Sequence, residues 1–503
     1  MNINQLSIEE KIGQMLCFAF HGTEYNHQLK TLIEDYHIGN VVEFARNITS
    51  IDQVKKLNED IQTYAKHPIF ISLDQEGGMV RRIVDGITYL PGAMSLSASK
   101  EDISEIVKAC GDDLKQLGFH INYAPVADIN TNPLNPVINS RSYGNQSYRV
   151  ADQVVKASLA FQEAGILPMV KHFPGHGDTN VDSHLGLPVV NKGKEALLKE
   201  EIVPYQKAIE AGVDGVMISH ILYDALDPIF PSSLSYPIIT TLLKEELRFG
   251  GLITTDSLTM AAIWSRYSIE EIVKYGILAG NDILVFCGKA DLTEQIEIIN
   301  AFRQLVMQGD IPLSRLDESV AKIIALKQKY GKIPRKKLLN QKSTLANELV
   351  LKSITKVWDH GLLPLRKEDR VLMIFPKIHL ATLVDNGEET YETFHTHLDY
   401  PEFIIDEEMK NFENIVQNCK EYDKIVLATY QVVTNDFFTK LYERIDPKKV
   451  ILVCLRSPYD GLILKGSGAL ICTYDCTKES IYGVCKKLQD NSFTGWLPIR
   501  LEV

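Results

Sequence analysis

LKEEIVPYQKAIEAGVDGVMISH, residues 198–220, decides the fold. Leu198, Ile202, Tyr205 and Ile209 recur at i, i+4, i+7 and i+11, which lays them along one face of a helix. A short apolar run, Gly215–His220, follows and reads as a strand. The same alternation extends both ways. Strand-like runs stand at Met15–Phe20, Gly39–Phe44, Ile69–Asp74, Ile121–Asp128 and Leu167–His172 before it, and at Leu252–Asp256 and Asp282–Cys287 after it. Strands alternating with helices imply βαβ units and a parallel sheet. Eight such runs in the first two thirds of the chain predict an α/β fold with a (β/α)8 barrel rather than an open sheet. In the last helix of this half, Leu316, Val320, Ile323 and Ile324 form the buried stripe, Ser314 is the expected cap and Gly331 the expected end.

KIPRKKLLNQKS, residues 332–343, breaks the pattern with basic residues and a proline, and reads as a linker. The expected division is a catalytic barrel over 1–331, a linker over 332–344 and a second, smaller α/β domain over 345–503. That domain shows a helical stretch near Leu345–Val357 and strand-like runs at Val371–Phe375, Lys424–Tyr430, Val450–Leu455 and Ala469–Tyr474.

The chain has 503 residues, 45% of them hydrophobic, which excludes a disordered or collagen-like polypeptide. A net charge of −12 argues against a nucleic-acid partner. The N-terminus lacks the basic start and apolar stretch of a secretory signal, and no apolar run approaches the length of a membrane span. The expectation is a cytoplasmic protein with no membrane partner. The eight cysteines are scattered, several within apolar runs, and read as buried reduced thiols. Cys472 and Cys476 have no second Cys/His pair nearby at zinc-site spacing.

Polar residues collect where the candidate strands end: Asp74, Asp128, Lys171, His172, His220 and Asp256. Barrel active sites are built at that end. The densest stretch is KHFPGHGDTNVDSH, Lys171–His184, with three histidines and two aspartates in fourteen residues. Its glycines and proline argue for a loop. Asp182 and His184 are two apart, so in extended backbone the carboxylate can hold the imidazole, an arrangement suited to acid/base work. A loop bonded to itself, or a metal site built from His172, His176 and His184, would also use these residues. Asp256 fits either a helix cap or a carboxylate nucleophile. DQEGGMVRR, Asp74–Arg82, reads either as a surface turn or as a place where Asp74 and Arg82 meet sugar hydroxyls, and Arg141 in NSRSYG is as ambiguous.

Together these segments resemble the β-N-acetylhexosaminidases of glycoside hydrolase family 3, the bacterial type that recycles cell-wall fragments. LSIEEKIGQM (6–15), DQEGGMVRR, APVADIN (124–130), RSYG (141–144), KHFPGHGDTNVDSH, ALDPIFPSSLS (225–235) and GLITTDSLTM carry the resemblance, in the family's order. The resemblance implies a retaining two-step reaction without a cofactor or metal. Asp256 matches the nucleophile, His184 the acid/base and Asp182 the partner that orients it. Asp74, Arg82, Arg141, Lys171 and His172 match sugar-binding positions. An oxocarbenium-like transition state wants a carboxylate below the anomeric carbon and a proton donor at the leaving oxygen. Imidazole ordinarily titrates near neutral pH, so it can give and take that proton.

The implied substrate is a small oligosaccharide ending in β-linked N-acetylglucosamine, from peptidoglycan or chitin. The aglycone and the oligomeric state stay open. The alternative is a retaining β-N-acetylglucosamine phosphorylase, since a histidine in place of an acidic carboxylate removes a charge that would repel phosphate. Met79 departs from the pattern, standing where the family often has arginine, so a contact near the DQEGG turn is expected to be lost. The C-terminal half resembles the companion domain of two-domain members, and no catalytic role is expected of it.

Overall fold

The computed structural model describes residues 3–180, 182–288, 290–332, 339–378, 391–405 and 411–500. Its first sheet holds nine parallel strands: β1 (Leu16–Ala19), β2 (Asn40–Glu43), β3 (Phe70–Leu73), β4 (Ile121–Asn122), β5 (Leu167–Pro168), β6 (Val170–Phe173), β7 (Gly215–Ile218), β8 (Leu252–Ser257) and β9 (Ile283–Phe286). The order is β5-β4-β3-β2-β1-β9-β8-β7-β6. The end strands β5 and β6 are two halves of one extended segment, interrupted at Met169. β5 pairs with β4 and β6 with β7, so the sheet closes through the break into a (β/α)8 barrel.

Prolines explain where the expected runs are cut. Pro168 has no N–H to give a ladder, and the Leu167–His172 run divides there. Pro125 likewise lies just past β4, which keeps only two residues of the expected Ile121–Asp128 strand. The helix expected through Leu198 and Ile209 is also broken: it spans Lys194–Lys199 and restarts at Val203–Glu210, with Pro204 in the first turn of the second piece. Ile202 and Tyr205 are fully buried as the stripe requires. The last barrel helix, Leu313–Tyr330, buries Leu316, Val320, Ile323 and Ile324, but its cap position is Pro312, and Ser314 lies inside the first turn.

The second sheet contains β10 (Thr355–Asp359), β11 (Val371–Pro376), β12 (Glu402–Ile405), β13 (Lys424–Thr429), β14 (Val450–Cys454) and β15 (Ala469–Cys472), in the order β10-β15-β14-β13-β11-β12. Only β10 is antiparallel to its neighbour. The parallel strands follow the 2-1-3-4-5 order of doubly wound folds. The helix expected to reach Val357 ends at Ser353 and gives way to β10. It packs against the helix Ala93–Ser99, and its Ala346 and Leu349 join a core cluster of the barrel. Residues 333–338 of the expected linker lie outside the described residues. None of the eight cysteines is in a disulfide, and seven are buried. Among the described residues no helix is long and apolar enough to cross a membrane.

Candidate active site

All the polar residues singled out at strand ends gather at the carboxyl end of the barrel. Asp256 lies within β8, and Lys171 and His172 within β6. Asp74 directly follows β3, and His220 stands two residues beyond β7. The helix-cap reading of Asp256 fails, because the next helix, Ala261–Trp264, starts further on, with Met260 at its cap position.

Burial alone would raise the Asp256 carboxyl. His172, His220 and His184 beside it, together with the Ser257 N–H donating to Oδ1 at 2.7 Å, reverse the sign and hold it down at about 2. The site therefore keeps a desolvated carboxylate charged. His220 fixes the strand end that carries it. Its Nε2 donates to the Ser257 carbonyl at 2.9 Å, and Nδ1 meets the Ser233 hydroxyl at 2.8 Å. Burial pushes the His220 imidazolium down, which favours the neutral ring with its proton on Nε2.

His184 Nδ1 lies 2.8 Å from Asp182 Oδ1, and the same oxygen accepts the His184 backbone N–H at 2.9 Å. A carboxylate only accepts, so Nδ1 carries the proton of this bond and Nε2 is left to face a reactant. Burial opposes the Asp182 charge, but the bonds from His184 outweigh it and hold this carboxyl below the usual range.

The other histidines of the loop are engaged elsewhere. His172 Nδ1 bonds to Asp128 Oδ2 at 2.7 Å, and His176 bonds to Thr179 and Ser183 through its two nitrogens at 2.9 and 3.1 Å. The three rings thus turn to three different partners, and among the described residues no cluster of three His, Cys, Asp or Glu side chains converges as a metal site would. Asp128 is fully buried, and its Oδ1 also accepts the His172 and His176 backbone N–H groups at 3.2 and 2.6 Å. It anchors the strand-to-loop transition.

Asp74, Arg82, Lys171 and Arg141 are joined in one chain of charges. Arg82 Nη2 lies 3.3 Å from Asp74 Oδ2, and Lys171 Nζ lies 2.8 Å from Asp74 Oδ1. Lys171 also reaches Glu76 Oε1 at 2.6 Å, and Arg141 grips Glu76 with Nε and Nη2 at 2.8 and 2.7 Å. Burial disfavours the Glu76 charge, yet Arg141 and Lys171 hold its carboxyl far below the usual range. Arg82 and Arg141 are each 7% exposed, so DQEGGMVRR is not a surface turn.

Sequence reading missed Glu76, the centre of this chain. The signal was present: Glu76 is two residues past Asp74 at the same strand end, the spacing that sends both side chains the same way. Met79 is 7% exposed and packs in the core of the second sheet, its Sδ 3.3 Å from Cys476 Sγ. It points away from the charge chain, toward the second half of the molecule.

Residues 7–326 match the glycosyl hydrolase family 3 N terminal domain. A curated relative, beta-hexosaminidase A of Pseudoalteromonas piscicida, is 34% identical over 400 residues, which are 72% of this chain and 67% of the relative. Another, a beta-N-acetylglucosaminidase/beta-glucosidase of Cellulomonas fimi, is 30% identical over 406 residues, 76% of this chain and 69% of its own. The solved structure of a glycoside hydrolase family 3 beta-N-acetylglucosaminidase from Paenibacillus sp. str. FPU-7 matches with a TM-score of 0.91 and 32% identity, covering 99% of each chain.

Proposed function

Since the chain belongs to glycoside hydrolase family 3 and is a glycoside hydrolase of the β-N-acetylhexosaminidase kind, we propose that it removes terminal β-linked N-acetylglucosamine from small peptidoglycan or chitin fragments, with Asp256, His184 and Asp182 as its catalytic groups. The observation that carries the reading is the pairing of chemistries at the barrel mouth: a carboxylate kept ionised, and an imidazole whose Nδ1 is held by a carboxylate.

In the first step an Asp256 oxygen attacks the anomeric carbon and the glycosidic C–O bond breaks. The proton on His184 Nε2 passes to the leaving oxygen. In the second step water attacks the anomeric carbon, His184 takes its proton, and Asp256 departs as carboxylate. Two inversions give retention. Asp182 stabilises the ring when it carries both protons. Asp74, Lys171, Arg82 and Arg141 hold the sugar hydroxyls and the acetamido group, with His172 beside Asp256. We place the catalytic barrel in residues 1–331 and the companion domain in 345–503. That none of the eight cysteines is in a disulfide supports a reducing, cytoplasmic setting.

The test is release of nitrophenol from the β-N-acetylglucosaminide beside the β-glucoside, with and without phosphate. Selective release that ignores phosphate supports hydrolysis of N-acetylglucosaminides. A rate that rises with phosphate and yields a sugar 1-phosphate replaces it with the phosphorylase. No turnover of either sugar overturns both.

A further inference from the structure

The chain of charges Arg82–Asp74–Lys171–Glu76–Arg141 depends on two long loops. Asp74, Glu76 and Arg82 lie on the segment between β3 and the helix Ala93–Ser99. Arg141 lies on the segment between β4 and the helix Ser147–Glu163, whose only regular element is the turn Asn139–Arg141. Only Lys171 sits in a barrel strand. Buried charges this close must be held tightly, because each has lost its water and relies on its neighbours.

Both loops are tied to the second domain, and the ties come from the carboxyl ends of its parallel strands. After β15, Thr477 Oγ1 meets the Tyr89 hydroxyl at 3.1 Å, Cys476 meets Met79, and the Thr473 carbonyl accepts from Ser95 Oγ at 3.2 Å. After β14, the Tyr459 hydroxyl donates to the Asn130 carbonyl at 2.9 Å. After β13, Gln431 Nε2 donates to the Pro136 carbonyl at 3.3 Å. The C-terminal segment adds Trp496, whose ring lies 3.9 Å from the Arg149 guanidinium, and Pro498, whose carbonyl leaves no room for a side chain at Gly144, where φ is +143°. In open parallel sheets the strand carboxyl ends are where a ligand binds. Here the barrel's loops occupy that edge.

The loops that carry Asp182, His184 and the residues after Asp256 show the opposite. Among the described residues, no hydrogen bond or ion pair joins 173–190 or 256–267 to residues beyond 343.

We infer that the second domain is the positioning element of glycone recognition: Tyr459 and Tyr89 hold the two loops so that Glu76 and its partners present a preformed site for N-acetylglucosamine, and they set affinity rather than the chemical step. This rests on the reading that Asp74, Arg82, Arg141 and Lys171 bind the glycone. Removing the two hydroxyls leaves the rings packed and frees the loops to shift, and the lost preorganisation appears as weaker binding.

The experiment compares the full-length protein with the Tyr89→Phe/Tyr459→Phe double variant. It reads kcat and KM on the nitrophenyl β-N-acetylglucosaminide, Kd for free N-acetylglucosamine by calorimetry, and Tm. The expected result is a rise of about tenfold in KM and Kd, with kcat within about twofold and a native melt, as loss of one buried and one half-buried hydrogen bond allows. Lys352→Gln serves as the control. It removes a 2.8 Å ion pair with Glu101 that also joins the two halves but touches neither loop, and it leaves Kd unchanged. An unaltered Kd in a folded double variant, or a fall in kcat at constant Kd, overturns the inference. Should the double variant fail to fold, Tyr459→Phe alone is read by the same Kd and decides on the same terms. Turnover by the unaltered protein reports separately on the functional reading.

Discussion

The two sides of the barrel mouth are stabilised by different means. On one side, the loops after β3 and β4 carry the sugar-binding charges and lean on the second domain through Tyr89, Met79, Asn130 and Gly144. On the other, the loops after β6 and β8 carry the reacting groups and are held to each other and to the loop after β4, where Asn135 Nδ2 donates to the His176 carbonyl at 2.8 Å and the Asn132 N–H to the Gly177 carbonyl at 3.3 Å. His176 bonds to Thr179 and Ser183, Asp182 to His184, and the Ser183 carbonyl accepts the Ala262 N–H at 3.3 Å. The braced side keeps together five charges, Asp74 half-buried and the other four side chains buried, that solvent would otherwise pull apart.

The contrast is broken most violently at Asp256. Asp256→Asn keeps the shape and the Ser257 hydrogen bond while removing the attacking charge. We expect kcat/KM to fall by four orders of magnitude or more, ~6 kcal/mol of transition-state stabilisation, with KM little altered and Tm unchanged or raised. Near-normal kcat would remove Asp256 as nucleophile.

His184→Ala comes next, with a loss of about 10²- to 10⁴-fold on glycosides with poor leaving groups and a far smaller loss in the first step with nitrophenol. Equal losses on both substrates would argue against an acid.

On the braced side, Glu76→Gln removes the charge between Arg141 and Lys171. Its expected signature is a KM raised by about ten- to a hundredfold with a smaller change in kcat, and a lower Tm, since breaking a buried ion pair costs about 3–5 kcal/mol. A kcat effect larger than the KM effect would move Glu76 to the reacting side.

The smallest effect is on pH. The Glu76 carboxyl lies far below its ordinary 4.5 in the folded protein, so its contribution to stability is complete above that value and is lost as the pH falls toward the lower folded value. Thermal melts between pH 5 and pH 3 should therefore fall more steeply for the natural protein than for Glu76→Gln. Parallel slopes would mean that the carboxylate is not stabilised by its neighbours.

How far the sequence foretold this follows from which forces are local. Buried parallel strands are runs of apolar residues, so β1, β2, β3, β7, β8 and β9 stand where the runs do. Pro125 and Pro168 cut the runs between them, and their lack of a donor was visible but given too little weight. β10 and β12 were passed over because they are the short outer strands of the second sheet: TKVWD is four-fifths half-exposed and EFII has a single buried residue. Of the eight proposed site residues, Asp74, Lys171, His172 and Asp256 sit at strand ends, where position is encoded locally, while Arg82, Arg141, Asp182 and His184 lie on the loops that follow. Glu76 escaped because its importance comes from Arg141 and Lys171, 65 and 95 residues away. Met79 was expected to mark a lost contact near the DQEGG turn. Its side chain meets the second domain, a partnership with Cys476 nearly 400 residues on that no local pattern records.

The account turns on the division of labour between Asp256 and His184, and one measurement tests both. In His184→Ala with the nitrophenyl β-N-acetylglucosaminide, the leaving group needs no proton, so the first step still runs, while the second lacks its base. The prediction is a burst of one equivalent of nitrophenol per enzyme, followed by slow turnover. Mass spectrometry of the quenched protein should find one N-acetylhexosaminyl unit on the peptide that contains Asp256. A linear time course with unmodified protein, or a label on another residue, would contradict the account.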